Sequence, residues 1–288
     1  MKKGIKYLYN LIPFKKHFFY LLRGLKLPES IYKHLYFNDV FKVKFDSYSF
    51  LIKHYGFQLE NEIFWSGLTN GWEKISIRLW IELSKDASVI LDIGANTGIY
   101  SLVSKAVNIT SKVYAFEPVK RVYDKLQENI TLNNYDVKSF ELAASNYDGE
   151  ATIYDTPTPH VYSVAVNKNI SGLENTIPTK ITTQKLSTFI ESNNITHIDL
   201  IKIDVETHEP EVLEGMAGYL QQFKPTLLIE VLNDDIGSKI QNTIANMDYL
   251  YFNIDELGTP KRVSKIRKSD YYNYLVCSES VAKKLHLI

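Results

Sequence analysis

Four acids stand where chemistry is expected: Asp92, Glu117, Asp204 and Glu230. Each closes a mainly apolar strand pattern, at residues 89–91, 113–116, 198–203 and 226–229, the third of them carrying Asp199 and Lys202. Such runs read as buried strands of a parallel sheet. In open α/β sheets, ligands sit beyond the carboxyl ends of the strands, where strand order reverses. The first acid opens Asp92-Ile-Gly94-Ala-Asn96-Thr97-Gly98, a tight loop whose glycines leave the backbone open to a ligand. A helical pattern follows from Gly98. A strand, a glycine loop and a helix N-terminus together predict a nucleotide site, served by backbone N–H groups and the helix dipole.

The loop departs from the dinucleotide fingerprint G-x-G-x-x-G, because the third glycine is missing and an acid comes first. A carboxylate repels a pyrophosphate and attracts a cation. S-adenosylmethionine carries a sulfonium, an ammonium and a carboxylate, and no phosphate; it is the predicted cofactor. Asp92 is expected to hold its ammonium, directly or through water, while loop N–H groups serve its carboxylate. Glu117, 25 residues further on, is placed to accept both ribose hydroxyl protons. Thr97, Pro118, Ala143 and Glu73 complete the expected cofactor set. The plainer roles are a strand-end cap for Glu117 and a helix N-terminal charge for Glu73.

The second dense cluster is Lys202 and Asp204-Val-Glu206-Thr-His208-Glu209. In-line methyl transfer needs an acceptor oxygen about 3 Å from the methyl carbon. A hydroxyl acceptor also needs a base. Asp204, Glu206 and His208 are candidates for that base, and Lys202 joins the catalytic set as a neutraliser of neighbouring acids. Alternatively, Asp204 and Glu206, with Glu230, bind a divalent cation of the Mg²⁺ or Ca²⁺ type that lowers the hydroxyl pKa. The plainer reading of His208 and Glu209 is that they begin the next helix. Residues 156–180, with Pro157, Pro159, Gly172 and Pro178, read as a lid or acceptor loop carrying His160 and Tyr162.

These residues must be carried by a chain of 288 residues with 45% apolar content, room for one large domain plus an extension. Lys+Arg and Asp+Glu are both 33, so the net charge of +0 gives no global pull toward nucleic acid. Cys277 is the only cysteine. No intrachain disulfide can form, which suits a reducing, cytoplasmic location. Residues 88–277 alternate strand and helix patterns, the signature of a doubly wound α/β sheet. Residues 249–254 and 271–276 supply a final antiparallel pair, and 151–155 an added strand. Residues 40–46 alternate as a half-buried strand, and residues 72–83 carry helical spacing.

Residues 1–27 interleave Lys2, Lys3, Lys6, Lys15, Lys16, Arg23 and Lys26 with aromatic and aliphatic side chains, and the first acid is Glu29. No uninterrupted apolar segment reaches the roughly 18 residues of a membrane span. A signal peptide is not expected. The segment is read either as a helix packed on the domain or as an interfacial helix at an anionic membrane. The expected division is an N-terminal extension at 1–60 and a main domain at 61–288.

Asp92-Ile-Gly-Ala-Asn-Thr-Gly98, Phe116-Glu-Pro118, and Asp199-Leu-Ile-Lys-Ile-Asp-Val-Glu206 followed by Glu211-Val-Leu-Glu-Gly215 resemble the FkbM-type S-adenosylmethionine-dependent methyltransferases, over roughly residues 60–255. The resemblance implies a mostly parallel, seven-stranded class I methyltransferase sheet, with the loop after Asp92 and Glu117 on the cofactor. It also implies transfer to a hydroxyl oxygen, often on a sugar or secondary metabolite. The family usually has glycine after the Asp-Val-Glu triplet, where this chain has Thr207 and then His208. The leading function is O-methylation of a saccharide, glycolipid or related metabolite. The alternatives are a metal-dependent glycosyltransferase, and a non-catalytic S-adenosylmethionine-binding protein.

Overall fold

The computed structural model describes residues 14–25, 27–155, 164–165 and 177–288. The chain divides into two compact units, Met1–Trp72 and Glu73–Ile288. The division falls later than the expected 60/61, for a packing reason. In the first unit, β1 (Asp39–Phe45) pairs antiparallel with β2 (Tyr48–His54). Helix Gln58–Ser66 buries Ile63, Phe64 and Trp65, and the Phe64 ring meets Phe37 and Phe41 edge-on at 4.8 and 5.4 Å. Residues past 60 therefore belong to the aromatic core of the hairpin. Helices Lys15–Arg23 and Glu29–Tyr32 also belong to this unit.

The second unit holds the site. Its main strands are β3 (Val89–Ile93), β4 (Lys112–Phe116), β5 (Val137–Phe140), β10 (Leu200–Ile203), β11 (Thr226–Glu230), β12 (Leu250–Asn253), β13 (Lys261–Val263) and β14 (Asn273–Cys277). They lie in the order β13-β12-β14-β11-β10-β3-β4-β5. The five strands β5, β4, β3, β10 and β11 run parallel, and β14 returns antiparallel against β11 and β12. This is the expected doubly wound, mostly parallel α/β sheet, with one difference. The three-residue strand β13 adds an eighth member at the edge, antiparallel to β12. The apolar runs account for the central strands: all five residues of β3 and all four of β10 are buried. The chain moves outward through β3, β4 and β5, then returns to β10 on the other side of β3. The switch point, where a ligand is expected, thus lies between β3 and β10.

A second sheet has the order β6-β9-β7-β8, built from β6 (Ala143–Ser145), β7 (Gly149–Asp155), β8 (Val164–Ala165) and β9 (Ile177–Lys185). The expected added strand is β7, paired antiparallel along its length with β9. Residues 177–180, read as the end of a loop, are ladder residues of β9. Most of the expected lid, including His160 and Tyr162, lies outside the described residues.

Helix Lys74–Ser84 leads into β3, and its first turn is closed from a distance. Glu256 accepts hydrogen bonds from the N–H groups of Ile75 (2.6 Å) and Ser76 (3.2 Å), placing a carboxylate at the positive helix end. The Trp80 indole donates to the Tyr100 carbonyl (3.0 Å) and to Ser104 Oγ (2.9 Å), locking this helix to the one that follows the glycine loop.

Candidate active site

The glycine loop is fixed from beneath by backbone. Gly94 and Ala95 N–H both donate to the Phe116 carbonyl, at 3.0 and 2.9 Å. A Cβ on Gly94 would stand 1.8 Å from the Asp204 carbonyl oxygen, so only glycine lets the loop after β3 touch the loop after β10. Asn96 turns the chain with φ 52° and Gly98 with φ 93°, delivering it into helix Ile99–Val107.

Asp92 is 1% exposed and looks inward. Its Oδ2 accepts from Ser101 N–H (3.0 Å) and Ser101 Oγ (2.6 Å), which satisfies a donor in the first turn of the helix. Burial raises its pKa to about 6 despite those bonds. Glu117, directly after β4, closes the loop from the other side. Oε2 accepts from Asn96 N–H (3.0 Å) and Oε1 from Val119 N–H (2.9 Å), and burial raises its pKa to about 7. Pro118, which has no N–H, lies between them and leaves Val119 as the donor. Asn96 Oδ1 and Thr97 Oγ1 are buried without a hydrogen-bond partner. Ala143, at the start of β6, packs with the cluster of Val119 and Val122.

Across the switch point lies a compact charge cluster. Lys202 is the residue of β10 that registers with Asp92 of β3, and it is fully buried. Its ammonium donates to Asp204 Oδ2 at 3.1 Å, approaches Asn273 Oδ1 at 3.5 Å, and sits 5.2 Å from the centre of the Tyr100 ring. Burial alone would lower the Lys202 pKa; the charge of Asp204 first, and then that of Glu73, holds it above its ordinary value. Glu73 is positioned by a left-handed backbone (φ 44°) and accepts the Tyr100 hydroxyl. Its pKa is raised by burial, against the pull of Lys202. Glu230, facing Asn273 across the β11–β14 ladder, is pushed up to about 10 by burial and by the Asp204 charge. It is therefore a neutral acid at pH 7, and its Oε2 is buried without a hydrogen-bond partner.

The remaining expected catalytic residues part ways. Glu206 and Thr207 turn the loop beyond Asp204 with φ 53° and 80°. His208 leaves the cluster: its Nε2 meets Ser145 Oγ at 3.0 Å and its Nδ1 lies 3.6 Å from Glu211 Oε2. Burial lowers its pKa, against Glu211 and Glu214. It ties β6 to helix Glu209–Gly215 and does not stand beside Lys202. Among the described residues no group of three or more His, Cys, Asp or Glu side chains is gathered for a metal, at Asp204, Glu206 and Glu230 or elsewhere. Lys202 takes up Asp204 Oδ2 instead.

Sequence reasoning missed Ser101, Tyr100 and Asn273 as parts of the site, and it named Glu209 in the second cluster without a role beyond beginning the next helix. Glu209 is fully buried, and its Oε1 accepts from the N–H groups of Val205 and Thr207, both at 3.2 Å. Burial raises its pKa to about 7. It belongs to the loop it closes as much as to the helix it begins. Asn273 has no local signal, because only the β11–β14 register brings it to Glu230.

Residues 92–253 match the family model described as the methyltransferase FkbM domain. The chain belongs to the FkbM methyltransferase family. Among curated relatives, it is 30% identical over 156 residues to the hexuronic acid methyltransferase AglP of Haloferax volcanii, covering 52% of this chain and 58% of the relative. It is also 30% identical over 147 residues to Methyltransferase 1 of Beauveria bassiana, covering 46% of this chain and 59% of the relative. The chain thus spans under two thirds of the length of these relatives. It is similar in structure to the FkbM methyltransferase of Methylobacillus flagellatus, with TM-score 0.42 and 17% identity, covering 66% of this chain and 43% of that one.

Proposed function

We propose that this FkbM-family chain transfers a methyl group from S-adenosylmethionine to a hydroxyl oxygen of a saccharide or related small acceptor. The observation that carries the reading is the contact of two loops at the switch point. The glycine loop touches the Asp204 carbonyl through Gly94, so the Lys202–Asp204 pair stands directly beside the expected cofactor loop. The sugar acceptor is supported by the relative named for a hexuronic acid.

The residues fit the cofactor. Orphaned acceptors at Asn96 Oδ1 and Thr97 Oγ1 need donors, and Glu117 offers two carboxylate oxygens to ribose hydroxyls. Asp92 contributes through the helix that it caps. When bound, S-adenosylmethionine supplies an electrophilic methyl carbon. The chain supplies the rest. Asp204 Oδ1 takes the proton of the acceptor hydroxyl while Lys202 holds Oδ2 and faces the developing alkoxide. Glu230, already protonated, adds no competing negative charge. The residues favour this proton transfer over a bound cation, because the Asp204 oxygen nearest the cluster already faces an ammonium.

The test has two arms. Titration calorimetry should give binding of S-adenosylhomocysteine, and none of NAD or UDP-sugars. A UDP-sugar preference would move the reading to glycosyl transfer. Asp204→Asn should lower turnover on a glycan extract by about 100-fold or more, with cofactor affinity held within a few-fold. Full activity in this variant would remove Asp204 from the base role. Cofactor binding without turnover on any extract would favour the non-catalytic reading.

A further inference from the structure

Helix Lys15–Arg23 shows two faces. Phe19 is 2% exposed and packs against Phe37 and Trp65, with ring centres at 6.3 and 5.6 Å. On the same inner side Lys16 pairs with Asp39 at 3.2 Å, and the Arg23 guanidinium lies 5.3 Å from the centre of the Phe64 ring. The outer side is apolar. Phe14, Phe18, Leu21 and Leu25 are 79%, 51%, 78% and 66% exposed. Their spacing of four, three and four residues puts all four on one helical stripe. Leu25 stays on that stripe because its N–H donates to the Leu22 carbonyl (2.9 Å), continuing the turn. Lys15 and His17 fall on either side of the stripe.

A ridge of large exposed side chains needs an occupant. The charge around it selects one. Seven Lys and Arg residues precede Glu29 and no acid does, although the whole chain is neutral. Positive charge and bulky apolar groups are segregated here against the average of the molecule. No helix among the described residues is long and apolar enough to cross a membrane. We infer that this ridge docks in the plane of an anionic lipid bilayer, with Phe14, Phe18, Leu21 and Leu25 in the headgroup–acyl boundary and the flanking cations on lipid phosphates. A protein partner or second copy would bury the ridge equally well, but it gives no reason for a run of seven cations before the first acid of the sequence. The inference is independent of the proposed reaction.

The test uses the full chain in vesicle flotation. It should float with phosphatidylcholine–phosphatidylglycerol vesicles, far less with phosphatidylcholine alone, and less as salt is raised. Phe18 and Leu21 are exposed, so the double variant F18E/L21E should keep the parent circular dichroism and melting temperature. It should float at least about tenfold less. Equal flotation of parent and variant, or no preference for anionic vesicles, overturns the proposal. So does a dimer in sedimentation velocity that F18E/L21E dissolves while vesicle binding is absent, which would make the ridge a contact between copies.

Discussion

Asp92 and Glu117 look alike in the sequence and differ in the folded chain. Both are strand-end acids, but Asp92 spends its Oδ2 on Ser101, whereas Glu117 clasps the loop backbone through the N–H groups of Asn96 and Val119. Removing a buried acceptor leaves its donors unpaired, at about 1–3 kcal/mol. Asp92→Ala is therefore expected to lower the melting temperature without any cofactor, and Ser101→Ala to lower it less. The double variant should cost less than the sum, because both changes break one pair. Glu117→Gln should act chiefly on the ligand, with weaker S-adenosylhomocysteine binding in calorimetry. If Asp92→Ala keeps the parent melting temperature and loses cofactor affinity, Asp92 is a ligand contact and the capping role fails. The chemical types at these positions were legible from sequence alone. The division of labour was not, since it depends on which side of a buried carboxylate the helix turns.

At the scale of elements, the loop after β10 is the strained one. Glu206 and Thr207 are consecutive non-glycine residues with positive φ, and Thr207 is β-branched. Such a residue is held there only by its surroundings, at a cost on the order of 1 kcal/mol or more. Glu209 supplies the hold through its bonds to Val205 and Thr207. The glycine that the family resemblance implies at this position is what a φ of 80° favours. Thr207→Gly is accordingly expected to raise the melting temperature, although a glycine at ordinary φ lowers it. A lower melting temperature in this variant would mean that the threonine is unstrained. The central strands were legible because β3, β4, β10 and β11 are almost wholly buried and read as short, largely apolar runs, with Lys202 the one charge inside β10. The edge strand β13 was not, since three residues carry no period. The partnership of β7 with β9 was hidden for another reason: its two halves are separated by more than twenty residues, and nothing local announces the pairing.

Over the whole molecule, the acids that shape the site set the pH dependence of stability. In the unfolded chain, carboxyls titrate near 4. Folded, Asp92 holds its proton to about 6, Glu117 and Glu209 to about 7, and Glu230 to about 10, in each case because burial disfavours the charged form. Between the unfolded and folded values the folded unit binds more protons, so its stability falls as pH rises. The contribution is complete below about pH 4 and is lost stepwise through those folded values. Asp199, whose pKa is lowered because backbone and Ser88 hydrogen bonds outweigh burial, works the other way and only in acid. His54 in the N-terminal unit is also opposite. Burial holds it down to about 4, so that unit keeps its full stability above about pH 6.5 and loses it on acidification. Calorimetry of the full chain without cofactor should show the C-terminal unit melting higher at pH 6 than at pH 9, and the N-terminal unit lower at pH 5 than at pH 7. Glu230→Gln, an uncharged near-isostere, should flatten the alkaline side for the C-terminal unit while leaving the acid side of the N-terminal unit in place. A parent that melts at the same temperature from pH 6 to pH 9, or a Glu230→Gln curve parallel to it, would mean that Glu230 is ionised in the folded protein. The cluster would then hold one more negative charge opposite Lys202 than the proton transfer proposed above assumes.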